Sequence, residues 1–86
     1  MPRSLTIQRS VVTAAERDKF LERYRVRREH FQRAGCRYWL FEEIGLPGAL
    51  IEFVEASDGE TLQSALDGAP DRVLDQSRIY QELELE

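Results

Sequence analysis

The chain has 86 residues, of which 42% are hydrophobic and 33% charged, and carries a net charge of −4 at neutral pH. That length is a single domain, residues 1–86, whose folding buries roughly 60 to 65% of the surface the unfolded chain exposes, and such a composition excludes fibrous and disordered classes. One cysteine and one histidine exclude an intrachain disulfide and a Cys/His metal cluster, and no apolar run approaches the roughly 20 residues of a membrane span.

Met-Pro-Arg-Ser leads straight into alternating residues rather than an apolar stretch, so no secretory signal is expected and the expected location is cytoplasmic. Leu5, Ile7 and Val11 alternate with Thr6, Gln8, Ser10 and Val12, which predicts a first strand. Thr13-Ala-Ala-Glu16 reads as a capping box, in which the Thr13 hydroxyl accepts from the Glu16 N–H and the Glu16 carboxylate reaches back. A helix is therefore expected from Ala14 to Ala34, with Gly35 as its C′ residue. Phe20, Leu21, Tyr24 and Phe31 share one face of it, the stem of Arg27 or Arg28 filling the turn between. His30 sits near the helix end with no second ligand or base at a readable spacing, and reads as a rim residue.

The stretch from Cys36 to Ala56 organises the rest. Cys-Arg-Tyr-Trp-Leu-Phe-Glu-Glu and Ala-Leu-Ile-Glu-Phe-Val-Glu-Ala flank Ile44-Gly-Leu-Pro-Gly48, the pattern of a β-hairpin with a medium loop. Both strands are apolar on both faces. Pairing Trp39 and Phe41 with Phe53 and Ile51 is expected to put those four under the helices, leaving Tyr38, Leu40, Leu50 and Val54 on the opposite, bare face. Ser57-Asp-Gly-Glu60 is a second capping signal, and Leu62, Ala65 and Leu66 follow at helical spacing until Gly68 and Pro70 end the helix. Asp71 to Gln76 has room for one further turn. Arg78 to Glu86 alternates again and predicts a fourth strand.

The resulting order, βαββαβ, is that of the ferredoxin-like split βαβ unit: an α+β fold with a four-stranded antiparallel sheet and two helices on one face. An apolar face without helices needs a cover, and the simplest is a second copy related by a two-fold axis. Charge is unevenly distributed. Up to Arg37 there are ten basic and four acidic residues, and from Tyr38 onward two and twelve. The two halves are expected to face each other within the fold or across a dimer, because the net negative charge opposes non-specific affinity for nucleic acid. Neither nucleic acid nor membrane is an expected partner.

The stretch Gly35-Cys-Arg-Tyr-Trp-Leu-Phe, the hairpin, and Leu50-Ile-Glu-Phe-Val-Glu-Ala-Ser-Asp together resemble the dimeric α+β barrel superfamily, in particular its antibiotic-biosynthesis-monooxygenase-like branch. The resemblance implies a homodimer whose two sheets stack into a barrel, with a small-molecule pocket within the barrel or between each sheet and its own helices. Members include cofactor-independent oxygenases of polycyclic aromatics, haem-degrading enzymes and lactone isomerases. Glu52 matches the acidic residue common on the third strand of such proteins, but Val54 stands where tryptophan often follows it, and Gln8 is the nearest amide to a first-strand asparagine. The second helix, Thr61-Leu-Gln-Ser-Ala-Leu66, has no histidine to ligate haem, so no cofactor is expected.

The candidate site follows from the polar residues set among apolar ones. Thr6, Gln8 and Ser10 on the first strand, with Leu40, Val54 and Tyr80, are candidate ligand-binding residues facing the space between the sheets. Glu52, flanked by Ile51 and Phe53, is a candidate general base, with Tyr38 as its assistant. The alternative is that Glu52 is half of an ion pair with Arg9 or Arg37. The functional expectation is a homodimer that binds a small organic molecule of aromatic type, with a cofactor-independent monooxygenase or isomerase, or a non-catalytic structural or regulatory dimerisation module, as alternatives.

Overall fold

The structure is a computed structural model that describes residues 2–70 and 78–85. Strand β1 (Ser4–Val11) leads through a 3-10 turn (Ala14–Glu16) into helix α1 (Arg17–Arg33). Strands β2 (Arg37–Glu42) and β3 (Ala49–Ala56), helix α2 (Gly59–Asp67) and a short strand β4 (Tyr80–Gln81) follow. The four strands form one antiparallel sheet in the order β2-β3-β1-β4. The hairpin register matches its hydrophobic pattern, Trp39 lying opposite Phe53 and Phe41 opposite Ile51.

Local chemistry sets the element ends. α1 closes in a Schellman motif: the Cys36 N–H donates to the Phe31 carbonyl at 2.8 Å and the Gly35 N–H to Gln32 at 3.2 Å, with Gly35 at φ +83°. Phe31 and Cys36 pack together in the core, as that motif favours. Its start differs from the expected capping box. Thr13 is extended and its side chain makes no cap hydrogen bond; instead its carbonyl accepts from the Glu16 N–H at 3.0 Å, so the chain makes a 3-10 turn and the α-helix begins only at Arg17. The second capping signal is shifted by one residue from Ser57: Asp58 is the N-cap, accepting from the Thr61 N–H at 2.7 Å and the Thr61 hydroxyl at 3.1 Å. At the β2–β3 loop, Gly48 adopts φ +95° and its carbonyl accepts from the Val12 N–H at 2.8 Å, fastening the loop to the end of β1.

The core joins both helices to one side of the sheet. Phe31 from α1 and Leu62, Ala65 and Leu66 from α2 are buried with Val54 and Ala56 of β3. This reverses the expected faces. Tyr38, Leu40, Leu50 and Val54 lie beneath the helices, while Trp39, Phe41, Ile51 and Phe53 occupy the helix-free side. The physical reason lies on β1, whose Ser4, Thr6 and Ser10 share the side of Val54 and Ala56. Helices approach such small side chains closely, whereas an aromatic layer would hold them off. The fourth strand is also shorter than its alternation predicts: among the described residues only Tyr80 and Gln81 pair with β1, and Leu83 and Leu85 are exposed. The further turn expected over Asp71–Gln76 lies outside the described residues.

Candidate functional site

The middle of the helix-covered side is polar. Glu52 is on a central strand, with Leu40 opposite it on β2 and Gln8 opposite it on β1. A carboxylate so placed is costly to bury unless a cation and further donors meet it. α1 supplies the cation. Arg27 lies four residues before Phe31 on the inward helix face, and its guanidinium grips Glu52 in a fork, Nε to Oε2 at 2.7 Å and Nη2 to Oε1 at 2.9 Å. The Tyr38 hydroxyl donates to Oε2 as well. Both charged side chains are almost wholly buried, at 5% and 4% exposure.

Rings frame this cluster. The Arg27 guanidinium lies 5.4 Å from the centre of the Phe31 ring, which stacks on Tyr38 at 6.0 Å and 12° and receives the edge of His30 at 5.1 Å. The His30 Nε2 is 2.8 Å from the Ala65 carbonyl, linking α1 to α2. Burial pushes the Tyr38 phenol well above its ordinary range, and the charge and hydrogen bond of Glu52 push it further, against the opposing charge of Arg27. For Arg27, burial disfavours the charge, but the hydrogen bonds and charge of Glu52 more than offset it and raise its pKa. The arrangement is a fixed ion pair: three donors occupy the two oxygens of Glu52, and no buried side-chain N or O among the described residues lacks a partner.

The sequence-predicted residues divide between two surfaces. Thr6, Gln8, Ser10, Tyr38, Leu40, Glu52 and Val54 do share one side of the sheet, but it is the side under the helices; Thr6 and Val54 are buried there as packing. Tyr80 pairs with Leu5 and is exposed on the helix-free side. Neither Arg9 nor Arg37 is the partner of Glu52: Arg37 lies 3.8 Å from Glu55 instead. Arg27 is the residue whose role the sequence understates. Its position on the apolar helix stripe is the available signal, since a cation there must find an anion inside.

Two other surfaces border this cluster. A cleft of about 350 Å³ runs between α1 and the edge strand β2, bounded by Leu21, Tyr24, Arg28, Tyr38 and Leu40. The helix-free face carries Ile7 and Val11 of β1, Trp39 and Phe41 of β2, Ile51 and Phe53 of β3 and Tyr80 of β4, with the charged Arg9, Arg37 and Glu55 among them. On it Phe41 meets Phe53 edge to face at 5.6 Å, yet Phe41 remains 56% and Val11 64% exposed. Among the described residues no group of His, Cys, Asp and Glu is placed to hold a metal, and no helix is long and apolar enough to cross a membrane. Compared with protein-family models, with curated proteins and with solved structures, the chain has no match.

Proposed function

We propose that the chain works as a homodimer of the ferredoxin-like, dimeric α+β barrel kind, two copies stacking their helix-free sheet faces, and that it binds a small organic molecule rather than catalysing a reaction through Glu52. The strand order β4-β1-β3-β2, read from the other edge, is that of the split βαβ unit and supports the ferredoxin-like assignment. The observation that carries the dimer is the exposed layer of aliphatic and aromatic side chains on the face opposite both helices. A layer of that kind marks an interaction surface on a small protein. A self-complementary two-fold contact needs nothing from the rest of the chain.

Geometry also sets the strength. Three strands about 4.8 Å apart and up to eight residues long at about 3.3 Å each outline roughly 380 Å² of flat face per copy. Two such faces give roughly 760 Å² before side-chain relief enlarges it, against the roughly 1,200 Å² at which stable interfaces begin. Area alone does not fix affinity, but an interface this small belongs with the weaker associations, so association is to be sought at tens of micromolar. Glu52 contributes structure in this reading, because a general base must lie within reach of substrate, whereas Glu52 is 4% exposed and held by the Arg27 fork and the Tyr38 hydroxyl.

Charge placement fits the same picture. Arg3 with Glu55 and Glu82, Arg17 with Glu42, Arg27 with Glu52 and Arg37 with Glu55 all join the basic first half to the acidic second half. Four of the eleven arginines are thereby engaged with the acidic half, and a net charge of −4 is opposite in sign to the basic footprint of nucleic-acid binders. Light scattering after size exclusion tests the proposal: a mass near twice 10.0 kDa is expected at tens of micromolar, and Phe41→Lys should halve it while circular dichroism stays unchanged. A parent that is monomeric at that concentration would overturn the dimer.

A further inference from the structure

We propose that the cleft between α1 and β2 is a binding site for a planar aromatic carboxylate. The inference rests on the small-molecule part of the reading above and gives that molecule a place and a chemical class. The cleft's volume of about 350 Å³ is at the small end of ligand sites and suits one or two fused rings. Leu21 and Leu40 are half-buried there, with the rings of Tyr24 and Tyr38 beside them and Arg25 and Arg28 at the rim. It opens along an edge strand, where nothing else of the sheet intervenes.

Charge selects the ligand class. Arg3, Arg17, Arg27, Arg33 and Arg37 each meet a carboxylate of the protein. Arg28, exposed on the cleft's rim, pairs with no carboxylate among the described residues. Arg25, also on the rim, holds only the exposed Glu22 at 3.0 Å, a contact of the kind that contributes at most about 1 kcal/mol and exchanges readily. Two guanidinium groups above an aromatic slot favour a planar anion, since the fork of arginine matches a carboxylate in two parallel hydrogen bonds. The buried Tyr38 hydroxyl is committed to Glu52 and contributes its ring, not a donor. A polyanion is disfavoured by the overall charge of −4.

Isothermal titration of the full chain with 2-naphthoate, 2-naphthylmethanol and inorganic phosphate tests the site. Saturable binding of 2-naphthoate is expected, weaker binding of the neutral alcohol, and none of phosphate. Arg28→Gln, a substitution on an exposed residue, should weaken naphthoate by about tenfold or more and leave the alcohol unchanged. Leu21→Trp, which fills the slot, should abolish both. Absence of naphthoate binding, an unchanged affinity in Arg28→Gln, or equal competition by phosphate would overturn the proposal. Masses measured on the same samples separate the two claims: a dimer that does not bind naphthoate refutes the site alone, and a monomer that does refutes the association alone.

Discussion

Replacing Glu52 by Gln examines the cluster beneath α1 at its centre. The substitution keeps the shape of the side chain but removes its charge, and it puts an amide NH2 where a carboxylate oxygen now accepts from Arg27 or Tyr38. The guanidinium then stays buried without the counter-charge of Glu52, 5.4 Å from the centre of the Phe31 ring. Breaking one side of a buried pair costs about 3 to 5 kcal/mol. An 86-residue domain has a total stability of about 4 to 13 kcal/mol at roughly 0.05 to 0.15 kcal/mol per residue. The loss is therefore a large part of the whole, and a fall in melting temperature of more than about 10 °C follows at roughly 4 to 8 °C per kcal/mol. The companion variant Arg27→Met with Glu52→Leu removes both charges and should recover most of the loss, because well-packed apolar replacements of buried pairs are often neutral or better. Urea unfolding followed by circular dichroism measures both. A Glu52→Gln variant within about 1 kcal/mol of the parent would refute the reasoning, since a pair buried this deeply cannot then be what holds α1 to the sheet.

Asp58→Ala should lower the melting temperature by a few degrees, whereas Thr13→Ala should leave it nearly unchanged, since Asp58 caps α2 through its side chain and Thr13 makes no cap hydrogen bond. Gly48→Ala should destabilise by about 1 to 3 kcal/mol in denaturant titration, because the added Cβ would lie 2.4 Å from the Val12 carbonyl at a left-handed φ. The phenol of Tyr38 is raised in the folded chain, so the folded state holds its proton more tightly. That stability is complete below the unfolded value of about 10 and is lost as pH rises beyond it. Alkaline titration should show a tyrosinate step that coincides with unfolding and is missing in Tyr38→Phe.

The element order, the end of α1 at Gly35 and the hairpin register were all legible because each rests on neighbours in sequence or on a two-residue period. Which side of the sheet the helices cover was not. Both hairpin strands are apolar on both faces, so alternation alone leaves the choice open. It is decided by contacts far apart in the chain: the small Ser4, Thr6 and Ser10 opposite Ala56, Val54 and Leu50, and Arg27 meeting Glu52 twenty-five residues later. The same gap hid the site. Glu52 stands out as a charge among Ile51 and Phe53, but strand alternation points to Arg9 and Arg37 on neighbouring strands, whereas the partner lies on the helix above. The capping box at Thr13 failed for a local reason: the backbone satisfied the Glu16 N–H in a 3-10 turn before the side chain was needed.

Trp39, the single tryptophan, lies on the helix-free face at 39% exposure and reports directly on what covers it. Its emission should be measured during dilution from tens of micromolar to nanomolar concentration, alongside the molecular mass. Stacking of the two sheet faces predicts a shift to longer wavelength that follows the change from dimer to monomer. A mass that halves while the emission of Trp39 stays fixed would contradict it, and would place the contact on another surface.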